Sequence, residues 1–355
     1  MIGISGRVYN TPNPGGAAQV ALRHADCLLE RSDTLVYTSK KVADRFPEGQ
    51  TDSTGYWSNS SYYGLLWEQV VLPQIAKDVN VMYYPTGMCT LTNTPYDTVI
   101  CVQGLSAFHG YASTSYRIFR RVVVPQILDS ADSIVTVSEY LKNEIVDRFG
   151  VSESSIYVIY NGIDPIYHKS NMYSTDVDTP DDYFLYTGAL SETKNVDGII
   201  KAFHIINQKC DTNYKLLLVG PEANSTNASA LDDISYDNVI KYGYVSSRQK
   251  LATLYARSTI FLFPSYYESF GLPPVEAMAC GTPVVASDQA ALPEILGDAA
   301  LFVDPDDSTE IAEAAISILE NDELYDSLVA AGYERSQRYS WNNAGESLYR
   351  LLRNF

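Results

Sequence analysis

The stretch IFLFPSYYESFGLPPVEAMACGTPVVAS (260–287) decides the fold. IFLFPS (260–265) is a short apolar run of strand length, and PVVAS (283–287) is another. Between them, PPVEAMACG (273–281) reads as a helix. Proline suits a first helical position, where its missing N–H would be unpaired anyway. Gly281 suits the position just past the end. Strand, loop, helix and strand in that order form a unit of a parallel sheet covered by helices. The same stretch carries two carboxylates eight positions apart, Glu268 and Glu276, around a glycine and a double proline.

The alternation continues outward. Upstream, YFLYTG (183–188) and YKLLLVG (214–220) read as strands, and NVDGIIKAFHIINQ (195–208) and SRQKLATLYARS (247–258) as helices. Downstream, 306–321, 323–340 and 341–355 read as amphipathic helices. The first half repeats the pattern. MIGIS (1–5), TLVYTS (34–39), VMYYP (81–85), TVICVQ (98–103) and SIVTVS (133–138) are strands; 17–30, 65–78, 116–128 and 138–150 are helices, with Gly150 closing the last. The polar segment 160–183, with Gly162, Pro165 and Pro180, interrupts the pattern. The expected organisation is one α/β domain over 1–165, a linker over 166–182 and a second α/β domain over 183–340. Ligands of such sheets bind beyond the C-terminal strand ends. Two such domains facing one another make a cleft.

Composition agrees with two folded domains: 355 residues, 46% hydrophobic, with 28 tyrosines. There are 25 basic and 43 acidic residues, a net charge of −18, which argues against nucleic acid as partner. A solvated acidic surface is the plain reading. Cys27, Cys89, Cys101, Cys210 and Cys280 stand singly, so neither a zinc site nor a disulfide framework is expected. The start MIGISGRVYN does not read as a signal peptide, and no membrane span is expected. The triplets at Asn59, Asn224 and Asn227 read as chance.

The chemistry follows from the loop. A helix N-terminus at the end of a strand offers free N–H groups and the positive dipole end to an anion. Gly271 lets a ligand approach the backbone of Phe270, Gly271 and Leu272. Glu276, in the first turn, can accept from two vicinal hydroxyls, as on a ribose, and Glu268 can accept from sugar hydroxyls. A first-turn acid also favours the helix dipole with no ligand at all, and a loop acid can simply be solvated.

Residues 263–305 closely resemble the nucleotide-binding region of the retaining glycosyltransferases of family 4. Glu268 and Glu276 match that family's E-x7-E pattern. VGPE (219–222), 242–258, VTVSEYLKNEI (135–145), IYNGID (159–164) and YSWNNAGESLYRLLRNF (339–355) resemble it too. The resemblance implies the GT-B fold: two Rossmann-like parallel-sheet domains facing across a cleft, with the helix 341–355 crossing back to the first. It implies that Glu276 holds the ribose and Glu268 the donor sugar. The backbone of Phe270, Gly271 and Leu272, with Ser269 and Gly188 beside it, would line the donor, and Tyr244 and Val245 the base. Lys194 would pair with the diphosphate and stabilise the leaving group. On the first domain, Gly15 and Gly16 match a glycine pair that opens the first helix near the cleft.

Two departures stand out. Ala189 and Thr193 occupy places where relatives often carry an arginine. Gln103 and Gly104 replace a common His-Asp pair, leaving His109, six residues on, as the alternative catalytic histidine. Arg248, expected on a solvated helix face, and His24 are lesser candidates for phosphate contact.

The implied reaction moves a sugar, with retention, from a nucleoside diphosphate to an acceptor hydroxyl of a glycan or lipid-linked sugar, in surface polysaccharide or other glycan assembly. No cofactor and no metal are expected; DPDD (304–307) reads as a loop with Asp307 or Ser308 capping the next helix. Arg117, Arg120 and Arg121 stand among apolar residues in SYRIFRRVVVPQIL (115–128), a face suited to an acceptor phosphate or an anionic headgroup. The same pattern also fits an ordinary amphipathic helix. YWSNSSYYGLL (56–66) suits an acceptor pocket or a mobile loop. The expected location is cytoplasmic, with contact to the inner face of the membrane. Competing readings are a GT-B protein that has lost transfer, a glycoside hydrolase using the two glutamates, and a sugar-nucleotide epimerase.

Overall fold

The computed structural model describes the chain except residues 11–15, 55–60, 112, 169–176, 211–212 and 223–237. It divides into two compact units. Unit 1 comprises Met1–Gly162 with Trp341–Phe355, and unit 2 comprises Ile163–Ser340.

Unit 1 holds seven strands: β1 (Ile2–Ser5), β2 (Thr34–Thr38), β3 (Thr51–Ser53), β4 (Val81–Tyr84), β5 (Asp97–Val102), β6 (Ser133–Thr136) and β7 (Ile156–Val158). They form one parallel sheet in the order β3-β2-β1-β4-β5-β6-β7. The inner strands are buried along their length, as expected where helices cover both faces. The helix Gly16–Leu29 covers one face and receives the helix Trp341–Leu352. Ala344, Leu348, Leu351 and Leu352 join the core with Ala21, Ala25 and Leu28. Gly345 permits the close approach, because a Cβ there would stand 2.4 Å from Cys27 Cβ. Arg31 pairs with Glu346 at 2.8 Å, and Tyr349 Oη donates to Asp33.

His24 lies inside this core and does not reach solvent. Its Nδ1 is 2.6 Å from Tyr83 Oη, and burial lowers its pKa to about 4. The suggested phosphate contact is therefore replaced by a neutral core histidine. The helix expected over 65–78 is also different. It is built from Ser61–Leu66, a π-helical turn Trp67–Val71 and Leu72–Ile75. Pro73 has no N–H to give the regular ladder, and the turn ahead of it is widened.

Unit 2 holds six strands: β8 (Tyr183–Thr187), β9 (Lys215–Val219), β10 (Val239–Gly243), β11 (Ile260–Phe263), β12 (Val284–Ser287) and β13 (Leu301–Val303). They form a parallel sheet in the order β10-β9-β8-β11-β12-β13. Asp307 caps the helix Ser308–Leu319 by accepting from the Thr309 and Glu310 amides. Ile163 to His168, read from sequence as the end of one domain and the start of a linker, pack in unit 2. Ile163 N–H donates to the Tyr339 carbonyl at 3.1 Å, and Tyr167 is buried against Tyr255.

Candidate functional site

In unit 2 the chain runs from β8 outward to β9 and β10, then returns to β11 on the other side of β8. The loops after β8 and β11 therefore diverge at a topological switch point, where open α/β sheets take their ligands. These loops carry the predicted residues. Lys194 ends a short turn, Glu192–Lys194, and Asn195 follows with a left-handed backbone (φ 54°). Glu268 lies on the loop after β11. Lys194 Nζ donates to Glu268 Oε1 at 2.5 Å, and stands 5.9 Å from the centre of the Phe263 ring. The side chains are 23% and 13% exposed, so the pair meets solvent only at its rim. The Tyr266 amide donates to the Thr193 carbonyl, and the Ala291 amide to the Glu268 carbonyl, fixing the loop on both flanks.

The helix Leu272–Ala279 begins one residue earlier than its prolines suggest. Pro273 and Pro274 carry no N–H, so the first turn offers an anion fewer donors than the sequence pattern implies. Gly271 caps it at φ 90°, a backbone that side chains avoid, and a Cβ there would lie 2.7 Å from Leu292 Cδ2. Its glycine is thus demanded by the turn and by packing. Phe270 is buried, edge-on to Tyr339 at 5.2 Å. Only its backbone can serve a ligand.

Glu276 sits among tyrosines. Tyr255 Oη donates to Glu276 Oε2 at 3.0 Å and lies 2.6 Å from Thr187 Oγ1, at the end of β8. Tyr167 hydrogen-bonds the same carboxylate. Desolvation outweighs these donors and the nearby Arg248, and raises the Glu276 pKa from 4.5 to about 7. Arg248 is not merely solvated: it pairs with Asp164 at 3.2 Å beside this carboxylate. Tyr255, Tyr167 and Thr187 escaped the sequence reading because they resemble core positions.

The rim beyond β8, β9 and β10 is free of side chains at three successive strand ends. Gly188, Gly220 and Gly243 all have positive φ. Gly188 N–H donates to the Val219 carbonyl, and Gly220 N–H to the Gly243 carbonyl. A Cβ on Gly220 would fall 1.8 Å from the Gly188 oxygen, so the two backbones can touch only as glycine. Tyr244 follows this rim and is 62% exposed, an open aromatic surface; Val245 is half-buried. Ser269 is half-buried on the Glu268 loop.

In unit 1, Gly15 lies outside the described residues, as do residues 56–60 of the aromatic segment. Gly16 is exposed at the start of its helix. Gln103 Nε2 donates to the Pro85 carbonyl at 2.8 Å, tying the ends of β5 and β4 together. His109 is drawn to the helix Glu139–Phe149, where its Nε2 is 2.6 Å from Glu144 Oε1, with Arg148 on the same carboxylate. Arg117 is half-buried, and its Nε finds no hydrogen-bond partner among the described residues. Among the described residues no three His, Cys, Asp or Glu side chains gather as a metal-binding group, and no helix is long and apolar enough to cross a membrane.

Comparison with known proteins bears on the family and the fold. Residues 14–166 match the family model "Glycosyltransferase Family 4", and residues 169–335 match "Glycosyl transferases group 1". The chain is 32% identical over 249 residues to O-antigen chain mannosyltransferase B of Escherichia coli, covering 63% of this chain and 62% of that protein. It is 29% identical over 211 residues to the O-antigen chain mannosyltransferase RfbU of Salmonella typhimurium, covering 59% and 57%. The matches thus span about three-fifths of these relatives' own length. Sucrose-phosphate synthase from Thermosynechococcus elongatus superposes with a TM-score of 0.76 at 20% identity, covering 99% and 98% of the two chains. Anabaena HepE in complex with UDP-glucose gives 0.76 at 18% identity, covering 100% and 99%. These likenesses establish a GT-B fold. The chain belongs to glycosyltransferase family 4.

Proposed function

We propose that this protein is a retaining glycosyltransferase that moves a hexose from a nucleoside-diphosphate donor to a hydroxyl of a glycan or lipid-linked acceptor. The observation that carries the reading is the Lys194–Glu268 pair at the unit 2 switch point, with the Glu276 carboxylate on the helix that follows. Glu276 takes the ribose diol, and the glycine rim with Tyr244 and Val245 takes the base. Lys194 meets the diphosphate and gives up its bond to Glu268, which turns to the sugar hydroxyls. Negative charge developing on the leaving diphosphate is then met by a fixed ammonium in a site with little water. We assign that role to Lys194 and backbone amides, with no metal or cofactor required. The names of two relatives favour mannose as the sugar and O-antigen assembly as the setting; a cytoplasmic location is part of the proposal.

The test is a thermal-shift series with GDP, UDP, ADP and their mannose and glucose conjugates, with Glu276→Ala as control. One base raises the wild-type melting temperature and leaves the variant unmoved, since a ligand of the folded state must stabilise it. If no nucleotide shifts the wild type at low or high salt, the transferase reading fails and the non-catalytic GT-B reading replaces it.

Unit 1 adds a contact surface. On the helix Thr114–Ser130, Tyr116, Ile118, Phe119 and Val122 are 42–59% exposed beside Arg117, Arg120 and Arg121. We assign this face to an anionic membrane surface, which an apolar, basic helix meets by burying its side chains and attracting the headgroups. Vesicles containing phosphatidylglycerol should sediment the protein in low salt, and phosphatidylcholine vesicles should not. The double variant Ile118→Glu/Val122→Glu should bind at least about tenfold more weakly. Equal sedimentation of both proteins would remove the assignment.

A further inference from the structure

Unit 1 has its own topological switch point, and an ion pair stands there as well. Its chain runs from β1 outward to β2 and β3, then returns to β4 on the other side of β1. Arg7 lies in the turn Arg7–Asn10 directly after β1, and Thr86 lies just past β4. Arg7 Nε donates to Glu68 Oε2 at 2.8 Å, and its Nη2 reaches Thr86 Oγ1 at 3.4 Å. Ser5, the last residue of β1, donates its hydroxyl to Glu68 Oε1 at 2.5 Å.

Glu68 is the unusual member. Its side chain is 1% exposed, and burial pushes its pKa up against the pull of Arg7 and Ser5. It sits in the π-helical turn, and its own carbonyl accepts from Thr90 Oγ1 at 2.7 Å. A buried carboxylate paired with an arginine adds little stability over well-packed apolar groups, because both ions lose their water. Widened helical turns of this kind are frequent at functional places. The arginine keeps 20% of its side chain exposed. Glu68 occupies Nε, Thr86 lies at the edge of hydrogen-bond range of Nη2, and Nη1 has no partner among the described residues. Among the described residues nothing occupies the outer edge of the guanidinium, and its fork geometry suits phosphate oxygens.

We propose that Arg7 binds a phosphate group of the ligand of unit 1, the acceptor, and that Glu68 is the positioning residue that holds the guanidinium outward. The ligand class is a phosphate ester or diphosphate, as on a lipid-linked saccharide; its identity as acceptor rests on the transferase reading above. The Lys194–Glu268 pair in unit 2 is a partial counterpart: there both ions stand on the switch-point loops, whereas in unit 1 the cation stands on the loop after β1 and its carboxylate on the helical turn ahead of β4.

The probe is geranyl diphosphate, titrated calorimetrically into the full chain, first alone and then with the nucleoside diphosphate found by thermal shift at saturation. Inorganic pyrophosphate is titrated in parallel. The wild type binds geranyl diphosphate in both conditions. Arg7→Ala weakens it about tenfold or more, and Arg7→Lys nearly as much, since one ammonium cannot hold Glu68 and fork a phosphate at once. Glu68→Ala matches Arg7→Lys, and Glu68→Gln restores most of the loss at unchanged near-UV circular dichroism. The nucleotide-induced shift is the same in all of them. Pyrophosphate binding as tightly as geranyl diphosphate would make the site one for free phosphate, overturning the acceptor assignment. Equal binding by wild type and Arg7→Ala, or none by the wild type, overturns the proposal and leaves a structural ion pair. Loss of the nucleotide shift in Arg7→Ala overturns it too, giving Arg7 to the donor. If the wild type responds to no nucleotide, the transferase reading fails by itself, and the titration without nucleotide still decides whether Arg7 takes phosphate.

Discussion

Lys194→Ala is expected to lower release of the sugar from its nucleotide by about 10²–10³-fold, the usual loss when one preorganised charge-stabilising group is removed. The Lys194 ammonium is held by Glu268 at 2.5 Å and lies over the Phe263 ring. It is therefore already placed at the switch point before the donor arrives, and it exchanges the carboxylate for the diphosphate before charge builds there. Removing it also strands Glu268, whose side chain is only 13% exposed. A buried carboxylate without its partner destabilises the fold, which would confuse the result. The double variant Lys194→Ala/Glu268→Gln separates the two effects. It should recover the melting temperature of the wild type and none of the activity, a non-additivity expected for groups in contact. The measurement is donor hydrolysis followed by chromatography, alongside melting temperatures for both variants. Activity of Lys194→Ala within about threefold of wild type would place the leaving-group cation elsewhere.

Glu276→Gln is expected to make the ligand-free protein more stable at pH 8 while abolishing its response to nucleotide. The folded pKa, about 7, lies above the ordinary 4.5. Between these values the folded chain holds a proton that the unfolded chain has lost, so this group's contribution falls as pH rises through that window. Above about 7 the cost is complete, on the order of 3 kcal/mol on the scale of 1.36 kcal/mol per tenfold change. A neutral glutamine escapes it. The advantage of the variant should grow from pH 4.5 to about 7 and then level off, and melting curves of both proteins across pH 4.5–8 check this. The same titration governs binding. A diol donates best to the ionised carboxylate, so wild-type affinity for the nucleotide should fall as pH drops below about 7, approaching tenfold per pH unit. Melting curves that stay parallel with pH would mean that Glu276 titrates in the ordinary range.

The inner strands could be read from sequence because IFLF, VVAS or KLLLV are apolar runs with no alternation to misread. The four strands that escaped, β3, β7, β10 and β13, are the two edges of each sheet. Covered on fewer sides, they are either very short, as TDS, IYV and LFV, or broken by polar residues, as VIKYG. At the site, Glu268, Glu276 and Lys194 could be identified one by one. That Lys194 meets Glu268 across 74 positions is a property of the β8–β11 switch. Tyr255 and Tyr167 look like any buried aromatics until the carboxylate between them is placed. Glu68 left one sign, an acid inside LLWEQVVLP, but its partners are 61 and 63 residues away. For His109 and Arg248 the sequence shows polar side chains whose partners, Glu144 and Asp164, come only with the fold.

The helix Trp341–Leu352 makes unit 1 a discontinuous object. Its first 162 residues are made first, yet the face of Gly16–Leu29 that carries Cys27 and Leu28 is sealed only after all of unit 2 has been made. During synthesis, unit 2 is a complete guest within an unfinished host. Until then the apolar seam of that host stays open to solvent, the kind of transient surface that chaperones cover. Bringing its two parts together closes a loop spanning residues 163–340, at an entropic cost that grows only logarithmically with length. The delay is thus one of order of synthesis, and a nascent chain stalled before residue 341 would carry a complete unit 2 and an open unit 1.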